Sequence, residues 1–179
     1  MRLIDGDDQS AYTSILSSTA SERSVGEPLK LVWYQMTSTQ LQNAESWVMG
    51  RPEIRLIVFY GATSSMSSPQ VNSQLLSPTR NHIKDGCNPN ATILPSWDPN
   101  SDGSVLTFVW IEEDPNGSYN ISANLKYEDK SDNGSIFSCG ANGSYSAEFE
   151  DYEIGRGFVY WWNPYSTNFM QGLTFRLGK

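Results

Sequence analysis

Short runs of β-branched and aromatic residues, separated by turn-forming residues, recur along most of this chain and constrain its fold more than any other feature. No long segment has the helical spacing of apolar residues. Such runs favour strands, and several of them joined by polar turns indicate antiparallel pairing. We therefore predict an all-β fold, a jelly-roll-like antiparallel β-sandwich of about eight strands with little helix. The runs lie at 29–36, 53–60, 91–97, 104–113, 118–127, 144–152, 157–162 and 172–177.

The chain has 179 residues, a length that one domain can fold around a single core. Its first residues are polar and Ser-rich, so we predict a flexible N-terminal arm over 1–26 and one sandwich domain over 27–179. Residues 61–90 read as a long polar connection with at most one short strand. No apolar run approaches the ~20 residues that a membrane span needs, which predicts no spanning segment.

The charge is uneven along the chain. The formal net charge is −8, and residues 85–155 hold 13 of the 20 acidic residues but only two basic ones, Lys126 and Lys130. Because phosphate repels such a surface, the sequence predicts that neither nucleic acid nor an anionic membrane is a partner. An acidic region also favours cations, although solubility alone would explain it.

The composition, rich in aromatic residues, Asn, Ser, Gly and Thr, is typical of extracellular β-sandwich modules. We therefore expect a secreted or cell-envelope protein whose leader, absent from the start of this sequence, has been removed. In an oxidising compartment Cys87 and Cys139 would form one disulfide, whereas in the cytosol they would stay thiols. Asn-x-Ser/Thr sequons agree with export but are common in Asn-rich and Ser-rich chains; they lie at Asn90, Asn116, Asn120, Asn133 and Asn142.

The turn Asp-Pro-Asn-Gly at 114–117 predicts a β-hairpin between the runs on either side of it. In the register that this turn sets, Ile111 faces Ile121, and one face of both strands is nearly all apolar. A slip by one residue would destroy that face, so the register is strongly specified. The same register brings Gly103 opposite Asp129.

Two acidic loops therefore meet at one end of the predicted hairpin. The loop at 98–103 reads Asp-Pro-Asn-Ser-Asp-Gly, and its carboxylates would repel those of 128–134 unless a cation intervened. Oxygen ligands suit Ca²⁺, and the paired loops resemble those of a C2-like calcium-binding sandwich, although the spacing is neither C2-like nor that of an EF-hand. The alternative is two polar turns without metal. The predicted Ca²⁺ ligands are Asp98, Asn100, Asp102, Asp129 and Asp132.

Two segments resemble an uncharacterised family of exported bacterial β-rich proteins. Residues 45–61, "ESWVMGRPEIRLIVFYG", place an acidic residue and Trp before a Gly and a Pro-Glu-Ile strand, as that family does. Residues 108–125, "FVWIEEDPNGSYNISANL", are similar to its acidic-turn segment. The resemblance implies export and a β-sandwich, and it implies no activity.

The aromatic segment 155–165, "GRGFVYWWNPY", offers a second candidate site. Alternation along a strand puts Phe158, Tyr160 and Trp162 on one face and Val159 with Trp161 on the other. One face must be core, and the other would form a platform for sugar rings unless it too is covered. We predict Trp161 and Trp162 as the ligand-binding residues.

No catalytic motif is present in the sequence, so we predict a non-enzymatic binding or adhesion module for a glycan or another cell-surface ligand. A carbohydrate-binding module with an aromatic platform is one alternative. A carboxylate-based hydrolase is another, because acidic residues are available at Glu112, Glu113, Asp114, Glu148, Glu150, Asp151 and Glu153. A Ser-His-Asp site would have to use His82, the single histidine.

Overall fold

The computed structural model describes residues 23–44, 52–61, 70–114, 119–130, 136–147 and 150–179, and within 114–152 it gives the backbone pairing alone. Ten strands and two short helices follow one another along these residues. The helices are α1 (Ser38–Ala44) and α2 (Arg80–Asp85). The strands are β1 (Leu29–Met36), β2 (Ile54–Tyr60), β3 (Gln70–Leu76), β4 (Ala91–Leu94), β5 (Val105–Asp114), β6 (Tyr119–Lys130), β7 (Ile136–Ala147), β8 (Glu150–Tyr160), β9 (Thr167–Met170) and β10 (Leu173–Gly178).

Eight of these strands form two antiparallel sheets of four, which confirms the predicted all-β sandwich. The first sheet has the order β4-β1-β10-β9, and the second has the order β3-β2-β5-β8. Strands β6 and β7 pair with each other as a separate two-stranded ribbon. Neither helix in the described part of the chain is long and apolar enough to cross a membrane.

The core lies between the two four-stranded sheets and is rich in aromatic rings. Phe108 of β5 stacks on Phe175 of β10 at 5.4 Å between ring centroids, and Trp110 lies 5.5 Å from the same ring. Tyr34 of β1 packs 5.5 Å from Trp110, so rings from both sheets meet in the middle of the sandwich. All four side chains are fully buried, as alternation along each strand requires of the core face.

Contacts at both sides of the sandwich join the two sheets. On one side the amide of Asn72 on β3 donates to the carbonyl of Ile93 on β4. On the other side β8 approaches β9, where Gly157 leaves room for Met170: a Cβ at that position would lie 2.6 Å from the Met170 Cε. A larger residue at 157 would therefore force the Met170 side chain to shift.

The predicted hairpin register between β5 and β6 is wrong. One edge of β5 pairs with β2, for example Val109 with Ile57, and the other edge pairs with β8 over its whole length. A strand has only two hydrogen-bonding edges, so none remains for β6 along the part of β5 that β2 occupies. Strand β6 pairs with β7 instead, and Asp129 lies opposite Phe137 rather than Gly103.

The outer face of the second sheet is also buried along β2 and β5. Ile57 and Phe59 of β2 and Val109 and Ile111 of β5 point away from the core between the sheets, yet each is 0% exposed. Strand β6 contacts both β2 and β5 without pairing with either. The outward-facing side of the second sheet is therefore covered along β2 and β5.

The sequence analysis did not predict the two helices or the strand β9. The hydroxyl of Thr37 accepts a hydrogen bond from the Gln40 amide at the start of α1, and Thr79 caps α2 in the same way. Within the described part of the connection 61–90, β3 is the one strand, as the sequence analysis allowed. The single strand predicted over 144–152 is wrong, because β7 ends at Ala147 and β8 begins at Glu150.

Candidate functional site: an aromatic strip on β8 and the loop 98–103

Three aromatic side chains follow one another along the end of β8, and we call Phe158, Tyr160 and Trp162 the aromatic strip. Phe158 and Tyr160 lie on the face of β8 opposite Val159, which is buried in the core. The rings of Tyr160 and Trp162 lie 5.1 Å apart and are tilted by 33°. Phe158 is 38% exposed and Trp162 is 39% exposed, so solvent reaches both ends of the strip.

Backbone hydrogen bonds hold the turn that carries Trp162. The amide of Asn163 donates to the carbonyl of Tyr160 at 3.1 Å, and the amide of Trp161 donates to the carbonyl of Ser104 at 2.8 Å. The turn is thereby attached both to the end of β8 and to the residue before β5. The aromatic strip is consequently a preorganised surface rather than a set of loose side chains.

The Trp161 side chain packs against other side chains of the sandwich and does not belong to the aromatic strip. Its ring meets Trp97 edge-on at 5.0 Å, and Trp97 is fully buried. The guanidinium of Arg23 lies over both rings, 5.2 Å from Trp97 and 5.4 Å from Trp161. The predicted ligand-binding residues Trp161 and Trp162 therefore point into different surroundings, as their opposite positions in the alternation indicate, and of the two it is Trp162 whose ring is exposed.

The loop 98–103 is closed by its own hydrogen bonds. One carboxylate oxygen of Asp98 accepts from the Asn100 amide nitrogens of backbone and side chain at 2.9 and 3.0 Å. The carboxylate of Asp102 accepts from the Asp98 amide at 2.8 Å, and the Asp102 amide donates back to the Asp98 carbonyl at 2.7 Å. Asp98 and Asp102 thus serve as turn residues whose oxygens satisfy the local backbone.

Neighbouring residues fix this loop to the sandwich. Gly61, after β2, donates its amide to the Asp102 carbonyl at 2.6 Å, and the Trp97 indole donates to the Gly103 carbonyl at 2.8 Å. Burial raises the pKa of Tyr60, and the nearby charge of Asp102 raises it further. The loop therefore lies at the end of β2 and is bound from both sides.

The two acidic loops were predicted to lie close together because of the β5–β6 register. Since that register is wrong, their closeness has no support. Asp98, Asn100 and Asp102 share one loop, but Asp129 belongs to the β6–β7 ribbon and Asp132 lies outside the described residues. No cluster of three or more potential metal ligands occurs in the part of the chain that the structure describes. Calcium binding stays a prediction.

Cys87 is a free thiol in this structure, and the side chain of Cys139 lies outside the description, so the predicted disulfide between them stays a prediction. Cys87 is half-buried and exchanges two backbone hydrogen bonds with Tyr34 of β1, at 2.9 and 2.8 Å. Cys139 lies on β7, where it pairs with Tyr127 of β6. Cys87 is therefore bridged to β1 of the first sheet, whereas the backbone of Cys139 belongs to the separate ribbon.

Among the carboxylates proposed for a hydrolase, those whose side chains are described are buried or are paired with an arginine. Glu113 is buried and forms an ion pair with Arg55, and Glu153 accepts from Arg156 at 2.7 Å. Glu112 is buried on β5. His82 is exposed on α2. The side chains of Asp114, Glu150 and Asp151 and all of Glu148 lie outside the description, so the hydrolase remains an untested alternative.

The sequence analysis missed two features of this structure in addition to the sites that it proposed. It assigned Arg23 to a loose arm, although this residue packs on Trp97 and Trp161 and donates to the Tyr165 hydroxyl at 3.0 Å. It also missed both helices. For α2 a capping signal was available in the sequence: Thr79, which lies three residues before His82. Residues 1–22 of the predicted arm are outside the description.

No family model, curated protein or solved structure matches this chain. The resemblance to exported bacterial proteins therefore stays a prediction, and the functional argument rests on the chain's own geometry.

Proposed function

We propose that this chain is a non-enzymatic, exported β-sandwich module that binds a carbohydrate through the aromatic strip. One observation carries the proposal: Phe158 and Trp162 are 38% and 39% exposed while Tyr160 packs 5.1 Å from Trp162. Large aromatic side chains are normally covered, and a group of them open to solvent marks a binding surface.

The chemistry of the strip suits a sugar ring. A pyranose has an apolar face of C–H groups that packs on an aromatic ring, and a rim of hydroxyl groups that needs hydrogen-bonding partners. The strip supplies the rings, and the exposed side chain of Asn163, next to Trp162, supplies an amide that both donates and accepts. Because the strip residues are themselves uncharged, a neutral glycan is the ligand class that we expect.

Replacing Trp162 by Ala tests this proposal. We expect the wild-type chain to bind at least one neutral polysaccharide or oligosaccharide in a panel, followed by tryptophan fluorescence and by sedimentation with insoluble glycans. Trp162→Ala should weaken that binding about tenfold or more, the effect expected of an interface hot spot. Its melting temperature should stay close to that of the wild type, because Trp162 is half-exposed.

Phe169→Ala is the matched control. Phe169 is 76% exposed on β9 and lies outside the aromatic strip, so its loss removes exposed aromatic surface without touching the proposed site. Equal binding by both variants, or no binding of any glycan by the wild type, would contradict the proposal. Release of reducing ends from a bound glycan would show that the module is an enzyme instead.

A further inference from the structure

The outward face of the first sheet carries an exposed aromatic ring beside an exposed arginine. Phe175 of β10 points into the core, so alternation turns its neighbours Thr174 and Arg176 outward. Phe169 of β9 lies opposite Thr174 and shares that face. Phe169 is 76% exposed, and Arg176 is exposed as well. As diagonal neighbours on adjacent antiparallel strands they lie about 7–8 Å apart, which one sugar ring can span.

A tryptophan holds the Arg176 guanidinium in place. The guanidinium carbon lies 4.6 Å from the ring centroid of Trp33 on β1. The Trp33 indole in turn lies against Gly86, where a Cβ would come within 2.5 Å of the indole nitrogen. A contact with a ring face restrains the guanidinium without using its N–H donors. Arg176 forms no ion pair within the described part of the chain, so those donors are available to a ligand.

The charges of the first sheet favour an anionic ligand. Its four strands, β1, β4, β9 and β10, contain Lys30 and Arg176 but no Asp or Glu, in a chain whose formal net charge is −8. Lys30 lies opposite Gly178, two residues beyond Arg176, so both cations belong to the outward face. The acidic remainder of the chain would repel a ligand with many negative charges. A ligand with a single negative charge fits both observations.

The uncharged side chains of this face suit a sugar. The Phe169 ring offers apolar surface to the C–H groups of a pyranose, and the hydroxyl of Thr174 opposite it can donate and accept. Gln35 of β1 lies on the other side of Thr174. Its amide nitrogen donates to the Lys84 carbonyl at 2.7 Å, which fixes the side chain and leaves its oxygen to accept from a sugar hydroxyl.

We propose that the outward face of the first sheet binds an acidic sugar: a glycan residue that carries one carboxylate, as uronic acids do. Arg176 pairs with the carboxylate through its planar fork of donors, and the sugar ring packs on Phe169. Phe158 and Tyr160 of the aromatic strip lie on the outward face of the second sheet, on the opposite side of the sandwich. This site is therefore independent of the neutral glycan proposed for the strip.

Methyl glucuronide and methyl glucoside test the site, because they differ only in a carboxylate that replaces a hydroxymethyl group. We expect the full chain, in the presence of a chelator, to bind the glucuronide with a saturable calorimetric isotherm and the glucoside more weakly. Arg176→Gln should weaken glucuronide binding about tenfold or more, the loss expected for hydrogen bonds to a charged group. Phe169→Ala should weaken it about threefold or more, as loss of one aromatic contact predicts.

Arg156→Gln is the matched control, because it removes the same charge from β8 of the second sheet. This variant and Trp162→Ala should both keep the wild-type affinity for the glucuronide, so this proposal and that for the aromatic strip fail separately. The acidic-sugar site is overturned if the glucuronide binds no more strongly than the glucoside, or if Arg156→Gln weakens binding as much as Arg176→Gln. Equal binding of free glutamate would also overturn it, since the face would then recognise a carboxylate without a sugar.

Discussion

At the scale of single residues, the core holds polar atoms that find no partner. The Tyr34 hydroxyl and the Trp110 indole nitrogen are buried without a hydrogen-bond partner in the described part of the chain. Burial raises the pKa of Tyr34 well above its ordinary value, and the adjacent Cys87 thiol raises it further. An unsatisfied hydroxyl costs stability in the folded state, and its ionisation would cost still more.

Tyr34→Phe should therefore stabilise the chain at neutral pH, by about 1 kcal/mol in urea unfolding. The raised pKa keeps Tyr34 protonated in the folded chain, so ionisation of this residue favours the unfolded chain, and stability falls as the pH rises above the unfolded pKa of about 10. The variant should consequently lose stability less steeply in alkali than the wild type, with a remaining slope from Tyr60, whose pKa is also raised.

The half-exposed hydroxyl of Tyr160 provides the comparison for that measurement. Tyr160→Phe is expected to change the free energy of unfolding by less than about 0.5 kcal/mol at neutral pH. If Tyr34→Phe instead loses stability at neutral pH, the Tyr34 hydroxyl has a partner in solution and the argument from an unsatisfied group is incorrect.

At the scale of elements, the loop 98–103 connects the end of β4 to the start of β5 through hydrogen bonds that need no metal. The Asp102 carboxylate accepts from the Asp98 amide, and the Asp102 backbone reaches Gly61 beyond β2. An acidic sequence with Asp, Asn and Gly at these spacings fits both a turn and a calcium loop. Only the pairing of neighbouring strands decides which other carboxylates lie close to it.

Asp102→Ala should lower the free energy of unfolding by about 1 kcal/mol in the presence of a chelator, because the Asp98 amide loses its acceptor. Asp102→Asn keeps an oxygen at the same position and should lose less. Melting curves in chelator and in millimolar Ca²⁺ check both expectations. A loss that appears only when Ca²⁺ is present would favour the calcium site over the turn.

At the scale of the whole molecule, Arg23 ties the start of the described chain to its last turns. Its guanidinium donates to the Tyr165 hydroxyl and the Glu27 carbonyl, and lies over the ring of Trp97. Glu27 in turn pairs with Lys179 at 2.9 Å. One end of the sandwich is thus closed by contacts between residues far apart in sequence.

Arg23→Ala should destabilise the chain by about 2 kcal/mol, because a partly desolvated cation leaves two tryptophan rings and two acceptors. Arg23→Lys keeps the charge but not the planar fork, and should recover only part of the loss. Arg176→Ala is the control, since the exposed Arg176 lies over the single ring of Trp33 at 4.6 Å. Urea unfolding measures all three, and an equal loss at both arginines would contradict a closing role for Arg23.

The sequence by itself determined the class of fold and several local features. Alternating β-branched and aromatic residues predicted the bounds of β1, β2, β5 and β10 closely. The two-residue period of a strand is a local pattern, so neighbouring residues are enough to reveal it. The same period separated Phe158 and Tyr160 from Val159 correctly. The polar turn at 98–103 could also be predicted from the sequence, since Asp and Asn side chains accept hydrogen bonds from nearby backbone amides and Gly tolerates turn conformations.

Only the tertiary structure decided which strands pair. The apolar face of β5 satisfied the predicted register with β6, yet β2 and β8 offer equally suitable faces and occupy both of its edges. The alternation of apolar and polar residues along a strand indicates that one face is buried. It does not indicate which distant strand covers that face, because the choice depends on packing over the whole chain. Whether the acidic loops lie close together, and which of Trp161 and Trp162 keeps an exposed ring, both follow from that long-range choice.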